Sequence, residues 1–170
     1  MPPIVFAQLE TALGPMLAAR SAFGVAALST DLGLDAFLDP LRRRFGGPLE
    51  PDPDALATLG RELGEYLAGR RRSIGIALDL TGLSAFDGKV YQAAREIPYG
   101  TTATYGEVAI RIGHPGAARA VGNAMARCPF FPIGPCHRIV RAVDGFGGWG
   151  GDPSVKRWLL DLEAATSGGG

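Results

Sequence analysis

The chain has 170 residues, 46% hydrophobic and 20% charged, enough apolar mass for a packed core, which excludes general disorder. Its 17 basic and 17 acidic side chains cancel, so attraction to nucleic acid or to a membrane has to come from local segregation of charge. No run approaches the roughly 20 apolar residues of a membrane span, and Met1-Pro2-Pro3-Ile4 lacks the basic segment of a secretory signal, so a soluble cytoplasmic protein is expected. Two cysteines, Cys128 and Cys136, make no disulfide framework, and two histidines, His114 and His137, are too scattered for a zinc site. Free thiols in a reducing compartment, with no metal, are the expectation.

In chain order, residues 4–9 and 24–29 are short apolar runs separated by Leu13-Gly14-Pro15 and Arg20-Ser21, which predicts a hairpin or small meander. Leu34, Phe37, Leu38, Leu41 and Phe45 recur at helical spacing and end on Arg42 to Arg44, although Pro40 interrupts them. Beyond the breaker at 48–53, Ala55, Leu56, Leu59, Leu63, Tyr66 and Leu67 mark an amphipathic helix ended by Gly69, and residues 74–80 read as a returning strand. The pattern then turns helical with little sign of strands. This divides the chain into an N-terminal α/β domain over 1–80 with an antiparallel sheet, a linker at 81–84, a mostly helical domain over 85–166 and a flexible tail at 167–170, α+β in class.

Residues 86–96 form a predicted helix with Phe86, Val90, Tyr91 and Ala94 on one side, stopped by Ile97-Pro98-Tyr99-Gly100. Thr104-Tyr105-Gly106-Glu107 has the spacing of a capping box and opens a helix over 105–112. Gly113-His114-Pro115-Gly116 breaks the chain before a second helix over 117–126, giving helix, turn, helix. Between Tyr105 and Arg141, Arg111, Arg119, Arg127, Arg138 and Arg141 stand against the single acid Glu107: either a solvated basic face or a phosphate-binding one. The small residues Ala117, Ala118, Ala120, Gly122 and Ala124 suit close helix packing, or equally close approach to a shallow surface, with Arg119 as a wedge that enters a base stack.

Pro135-Cys136-His137-Arg138 carries the strongest chemical signal. A thiol beside an imidazole and a guanidinium gains thiolate character, although a small buried cysteine is the plainer alternative. Cys128 lacks such neighbours and reads as packing. In an extended segment the side chains of Cys136 and His137 point apart, so the imidazole would work through a bridging water and need an orienting acceptor. The C-terminal helix over 154–165 offers Asp161 and Glu163, with Glu163 bordering an apolar face of Val155, Trp158, Leu159 and Leu162. The glycine-rich stretch 144–151 would let a loop approach a flat ligand, but no Gly-Lys-Ser/Thr ending or strand-loop-helix nucleotide pattern accompanies it.

Taken in order, Ile97-Pro98-Tyr99-Gly100, Thr104-Tyr105-Gly106-Glu107-Val108-Ala109, Ala117-Ala118-Arg119-Ala120-Val121-Gly122, Pro135-Cys136-His137-Arg138 and Lys156-x-Trp158-Leu159-Leu160-x-x-Glu163 resemble the O6-alkylguanine-DNA alkyltransferases, also called methylated-DNA–protein-cysteine methyltransferases. The likeness covers residues 84–163 and is only architectural before that. It implies direct repair of O6-alkylguanine, and by extension O4-alkylthymine, with the base flipped out of double-stranded DNA approached from the minor groove. The alkyl group would pass irreversibly to Cys136, with no cofactor, in a protein expected to be a monomer.

The resemblance further implies that His137 is a water-mediated base oriented by Glu163 and that Tyr105 donates on the N3 side of the guanine. Arg119 would fill the gap in the duplex, with Ala118, Ala120, Gly122 and Asn123 on the DNA-binding helix. Carbonyls of Cys136 and Ile139 would take the guanine amine, the Gly150 N–H would face its oxygen, and Phe131, Trp149 and Lys156 would border the pocket. Cys128 stands where the family usually has an asparagine tying the DNA-binding helix to the active-site segment, and a thiol is a weaker hydrogen-bonding group. A lesion-binding sensor without chemistry is the rival reading, and a Cys-His hydrolase lacks an oxyanion-hole motif. The alkyltransferase reading requires a nucleobase-sized cavity beside Cys136.

Overall fold

A computed structural model describes residues 2–143, 145 and 152–167. They form two compact units, Met1–Leu83 and Ser84–Gly170, and the class is α+β.

In the first unit, β1 (Ile4–Thr11), β2 (Gly14–Ser21) and β3 (Gly24–Ser29) make an antiparallel meander. β4 (Leu49–Pro51) joins the free edge of β1 in parallel, so the order is β3-β2-β1-β4. Residues 14–21, split between two turn signals in the sequence, are an inner strand, with Met16, Ala18 and Ala19 buried. Alanines carry little β propensity, so burial between neighbouring strands decides the matter.

Helix α1 (Leu34–Phe45) lays Phe37, Leu38 and Leu41 on Ile4, Ala19, Ala26 and Ala27. Burying three such side chains is worth about 1.5–3 kcal/mol each, more than the roughly 3 kcal/mol that a proline costs a helix interior. The helix therefore continues through Pro40 and ends at Gly46, whose φ of 67° lets its N–H reach the Arg42 carbonyl. A 3₁₀ turn, Asp54–Leu56, leads into α2 (Ala57–Leu67), which buries Leu59, Leu63, Tyr66 and Leu67.

The strand expected over 74–80 is absent as a ladder. It shrinks to one bridge, Val25 with Leu78, where the Val25 N–H donates to the Ala77 carbonyl and the Asp79 N–H to the Val25 carbonyl, each at 2.8 Å. Arg44 supplies the reason: its guanidinium donates to the carbonyls of Ala26, Asp79 and Thr81, occupying acceptors that a continued ladder would use. The crossing is so close at Gly24 that a Cβ there would lie 2.3 Å from the Ala77 oxygen.

The second unit holds α3 (Ala85–Glu96), α4 (Tyr105–Arg111), α5 (Ala118–Ala126) and α6 (Pro153–Ser167). Ser84 caps α3 by accepting from the Asp87 N–H at 3.0 Å. The capping box forms: Thr104 Oγ1 accepts from the Glu107 N–H at 3.1 Å, and Glu107 Oε2 from the Thr104 N–H at 2.9 Å. Two short strands that the sequence does not announce, β5 (Ala103–Thr104) and β6 (Ile139–Val140), pair in parallel. Thr104 is therefore both the end of β5 and the N-cap of α4, and β6 directly follows the Cys136 segment. This pairing ties the start of the helix-turn-helix to the candidate nucleophile.

Two expectations for the C-terminal helix are corrected. Ser167 closes α6 instead of fraying, while residues 168–170 lie outside the described residues. Its buried residues are Lys156, Leu159 and Glu163, whereas Trp158 is 41% exposed. The helix is rotated from the apolar face read in the sequence because its two ionic side chains have buried partners far away in the chain. Among the described residues no helix is long and apolar enough to cross a membrane.

Candidate active site and nucleic-acid face

Residues Cys136–Arg138 form a 3₁₀ turn, not the extended segment assumed from sequence. The turn directs both His137 and Arg138 inward, to 0% and 7% exposure. Glu163, 1% exposed, receives them from α6. Its carboxylate takes His137 Nε2 at 2.6 Å, Arg138 Nε at 2.8 Å, Arg138 Nη2 at 3.0 Å and the Gly100 N–H at 3.1 Å. Arg138 also donates through Nη1 to the Ile97 carbonyl at 2.8 Å. A buried ion pair holds only when such geometry repays the loss of hydration, and four donors on one carboxylate meet that condition.

Burial pushes the His137 imidazole below its ordinary pKa, against the pull of Glu163 and with Arg138 and Lys156 adding to the lowering. The ring is therefore neutral at neutral pH, with Nε2–H donating to Glu163 and Nδ1 as the basic nitrogen. Lys156, fully buried, donates from Nζ to the Ile139 carbonyl at 3.0 Å. Phe131, 3% exposed, meets His137 edge to face with ring centroids 6.2 Å apart. Cys136, His137, Phe131, Ile139, Lys156 and Glu163 are thus gathered in one buried region. Trp149 and Gly150 lie outside the described residues.

Helix α5 answers both of its open readings, on opposite faces. Val121, Ala124 and Met125 pack inward, and the Tyr91 hydroxyl donates to the Ala124 carbonyl at 2.8 Å. The outer face, with Tyr105 and Arg141, lines a depression of about 490 Å³ formed by Ala118, Arg119, Gly122, Asn123 and Ala126, within the usual range for ligand sites. Ala120 is half-buried and not part of that lining. Gly122 faces the Tyr105 ring, and a Cβ there would lie 3.4 Å from it, in contact with the first residue of α4.

The basic face is smaller than the five arginines suggest. Arg138 is buried on Glu163, and Arg127 is paired with Asp87 at 2.8 Å, an acid outside the stretch counted. Arg111, Arg119 and Arg141 are exposed, as is Arg127 beyond its pairing with Asp87.

The two cysteines depart most from expectation. They are not free thiols: Cys128 and Cys136 are joined as a disulfide across eight residues, and Cys128 is a sulfur partner instead of packing. Cys136 is 1% exposed and is not among the residues that line the depression on α5. The sulfur faces Cys128 and the Gly134 carbonyl, the latter at 2.8 Å. Sequence reasoning also missed the structural part of Arg138, whose signal was its position beside His137, and the contribution of Ala126 and Arg141 to the depression.

Comparison with known proteins places the chain in a family. The family described as 6-O-methylguanine DNA methyltransferase, DNA binding domain, matches residues 85–165. A methylated-DNA–protein-cysteine methyltransferase of Mycobacterium tuberculosis is 38% identical over 165 residues, 96% of this chain and 94% of that protein. A Thermus thermophilus protein called a DNA base-flipping protein is 36% identical over 160 residues, covering 92% and 98%. The crystal structure of Mycobacterium tuberculosis OGT in complex with DNA superimposes with a TM-score of 0.81 at 34% identity, over 95% of this chain and 94% of that one. With this identity sustained along nearly the whole length, the chain belongs to the O6-methylguanine-DNA methyltransferase family, the methylated-DNA–protein-cysteine methyltransferases.

Proposed function

We propose that the reduced protein repairs O6-alkylguanine in duplex DNA by moving the alkyl group to Cys136, once per chain. The observation that carries this reading is the buried Cys136-His137-Arg138 turn, clamped by Glu163 and joined through β6 and β5 to the start of α4. The fold that presents a helix-turn-helix also holds the thiol, so a base extruded at Tyr105 and Arg119 has a nucleophile on the adjoining segment.

Displacement at a saturated carbon requires a thiolate in line with the leaving oxygen. The S–C bond forms as the C–O bond breaks, the electron pair passes into the purine, and a proton delivered to the ring makes guanine a better leaving group. Neutral His137 takes the thiol proton at Nδ1 through a water, Glu163 stabilises the imidazolium, and Tyr105 donates to the N3 side. The thioether contains no activated bond, so the alkyl group stays on Cys136. Titrating an O6-methylguanine duplex with reduced protein is expected to end at about one lesion repaired per chain; continued turnover contradicts the reading.

Arg119 projects from the exposed face of α5 beside Tyr105, where a guanidinium can occupy the space an extruded base leaves. Arg119→Ala is expected to slow repair of a duplex by about tenfold or more, while reaction with a free O6-alkylguanine base changes little. Equal losses on both substrates remove the wedge role.

The second reading, a lesion-binding protein without transfer, draws support from the relative called a DNA base-flipping protein and from the engagement of the Cys136 sulfur with Cys128. Retention of Cys136, His137 and Glu163 together favours transfer in the reduced state.

A further inference from the structure

Cys128 has no part in the alkyl transfer described above, yet its sulfur meets the one atom that performs it. The arrangement is built by more than the bond. The Gly134 carbonyl oxygen lies 2.8 Å from Cys136 Sγ and 3.9 Å from Cys128 Sγ, so both sulfurs border one carbonyl. The loop between them is packed: Phe130 is fully buried, Phe131 and Ile133 are nearly so, and the Gly134 N–H bonds the Phe130 carbonyl at 2.8 Å. At one end, the Cys128 N–H extends α5 by donating to the Met125 carbonyl at 3.2 Å; at the other, Cys136 leads through its turn into β6. The two sulfurs therefore stay opposed when reduced, which gives their reaction the advantage of an intramolecular step.

Resting on the alkyltransferase reading, we propose that Cys128 and Cys136 form a redox switch in which a peroxide reversibly converts the pair to a disulfide and withdraws the nucleophile from repair. Cys128 is the partly exposed sulfur and Cys136 the buried one, so Cys128 meets the oxidant. Its thiolate attacks one peroxide oxygen, the O–O bond breaks, and hydroxide leaves, giving a sulfenic acid. The Cys136 thiolate then attacks the sulfenic sulfur, the S–O bond breaks, and a second hydroxide leaves. The two thiols lose two electrons, hydrogen peroxide gains them, and the two thiol protons complete two waters.

A permanent bond here would leave no nucleophile, so the bond serves a regulated protein only if it is reversible. It also holds Cys136 off the irreversible steps of sulfur oxidation. Reduction by a dithiol runs through a mixed disulfide and returns both thiols.

The test compares wild-type protein, Cys128→Ser and Cys128→Asn, each reduced, exposed briefly to hydrogen peroxide, desalted, and assayed before and after dithiothreitol. For the wild type, intact mass should fall by about 2 Da, with a peptide linking the segments of Cys128 and Cys136. Methyl transfer from an O6-methylguanine duplex should fall about tenfold or more and return with dithiothreitol. In both variants the linked peptide and the loss of about 2 Da are absent, and Cys136 without its partner passes on to sulfinic and sulfonic acids, so part of the transfer lost to peroxide, measured against each variant's own untreated rate, is not restored. Two results overturn the switch: wild-type protein that keeps both thiols open to alkylation after peroxide, or wild-type protein that forms the linked peptide yet transfers at its untreated rate. If reduced wild-type protein transfers no methyl group at all, the alkyltransferase reading fails, while the mass and the linked peptide still decide whether the pair oxidises.

Discussion

Replacing Glu163 by alanine is expected to destabilise the Ser84–Gly170 unit by about 3–5 kcal/mol and to abolish alkyl transfer. The carboxylate is 1% exposed and receives the Arg138 guanidinium through two nitrogens, the His137 ring and the Gly100 N–H. Without it a buried guanidinium keeps the Ile97 carbonyl and the face of the Tyr99 ring but no counter-charge among the described residues, and removing one partner of a buried pair costs more than the pair itself contributes. Glu163→Gln retains an acceptor and the shape of the site but carries no charge to stabilise an imidazolium. It should fold with a smaller loss of stability and slow transfer by about 10²-fold or more. Denaturant midpoints of the three proteins measure the first effect and single-turnover rates the second. An unchanged midpoint for Glu163→Ala would show that this clamp does not hold the site.

The second large effect is a loss of stability in mild acid. His137 is fully buried, and burial is the main cause of its lowered pKa. Above its ordinary value of 6.5 the imidazole is neutral whether the chain is folded or not, and its contribution to stability is complete. As the pH falls below that value the unfolded chain takes a proton that the folded site refuses, so stability drops until the pH passes through the folded pKa. One proton sets the slope at no more than about 1.4 kcal/mol per pH unit. The groups facing the ring are Glu163, Arg138 and Lys156, and the two cations oppose protonation. Unfolding midpoints of wild-type protein and His137→Gln between about pH 7 and pH 5 should diverge, the wild type losing more. Parallel curves would mean that His137 is not the group responsible.

The site was legible in sequence where its chemistry is local. The capping box spans four neighbouring residues and forms as read, while the meeting of His137 and Glu163, 26 residues apart, was legible through the family resemblance alone. Features set by distant partners were not legible. The orientation of α6 depends on Lys156 meeting the Ile139 carbonyl and on Glu163 meeting Arg138, contacts 17 and 25 residues apart in sequence. Residues 74–80 looked like a strand because nothing local reveals that Arg44 has taken the carbonyls they would need. β2 was hidden for the opposite reason, its alanines and its Gly-Pro start resembling a turn until strands pair on either side. The two-residue strands β5 and β6 are too short to show any period, yet they fix the helix-turn-helix to the active-site turn. Cys128 was judged by its sequence neighbours, which say nothing of the sulfur it meets through the fold.

The most direct measurement is the intact mass of reduced protein after incubation with a duplex carrying one O6-methylguanine, followed by peptide mapping. A single increase of about 14 Da located on Cys136, absent from Cys136→Ala and from protein mixed with undamaged duplex, is the result expected of a thiol that accepts the alkyl carbon. Unchanged mass with the lesion bound, or the methyl group found on another residue, would contradict it.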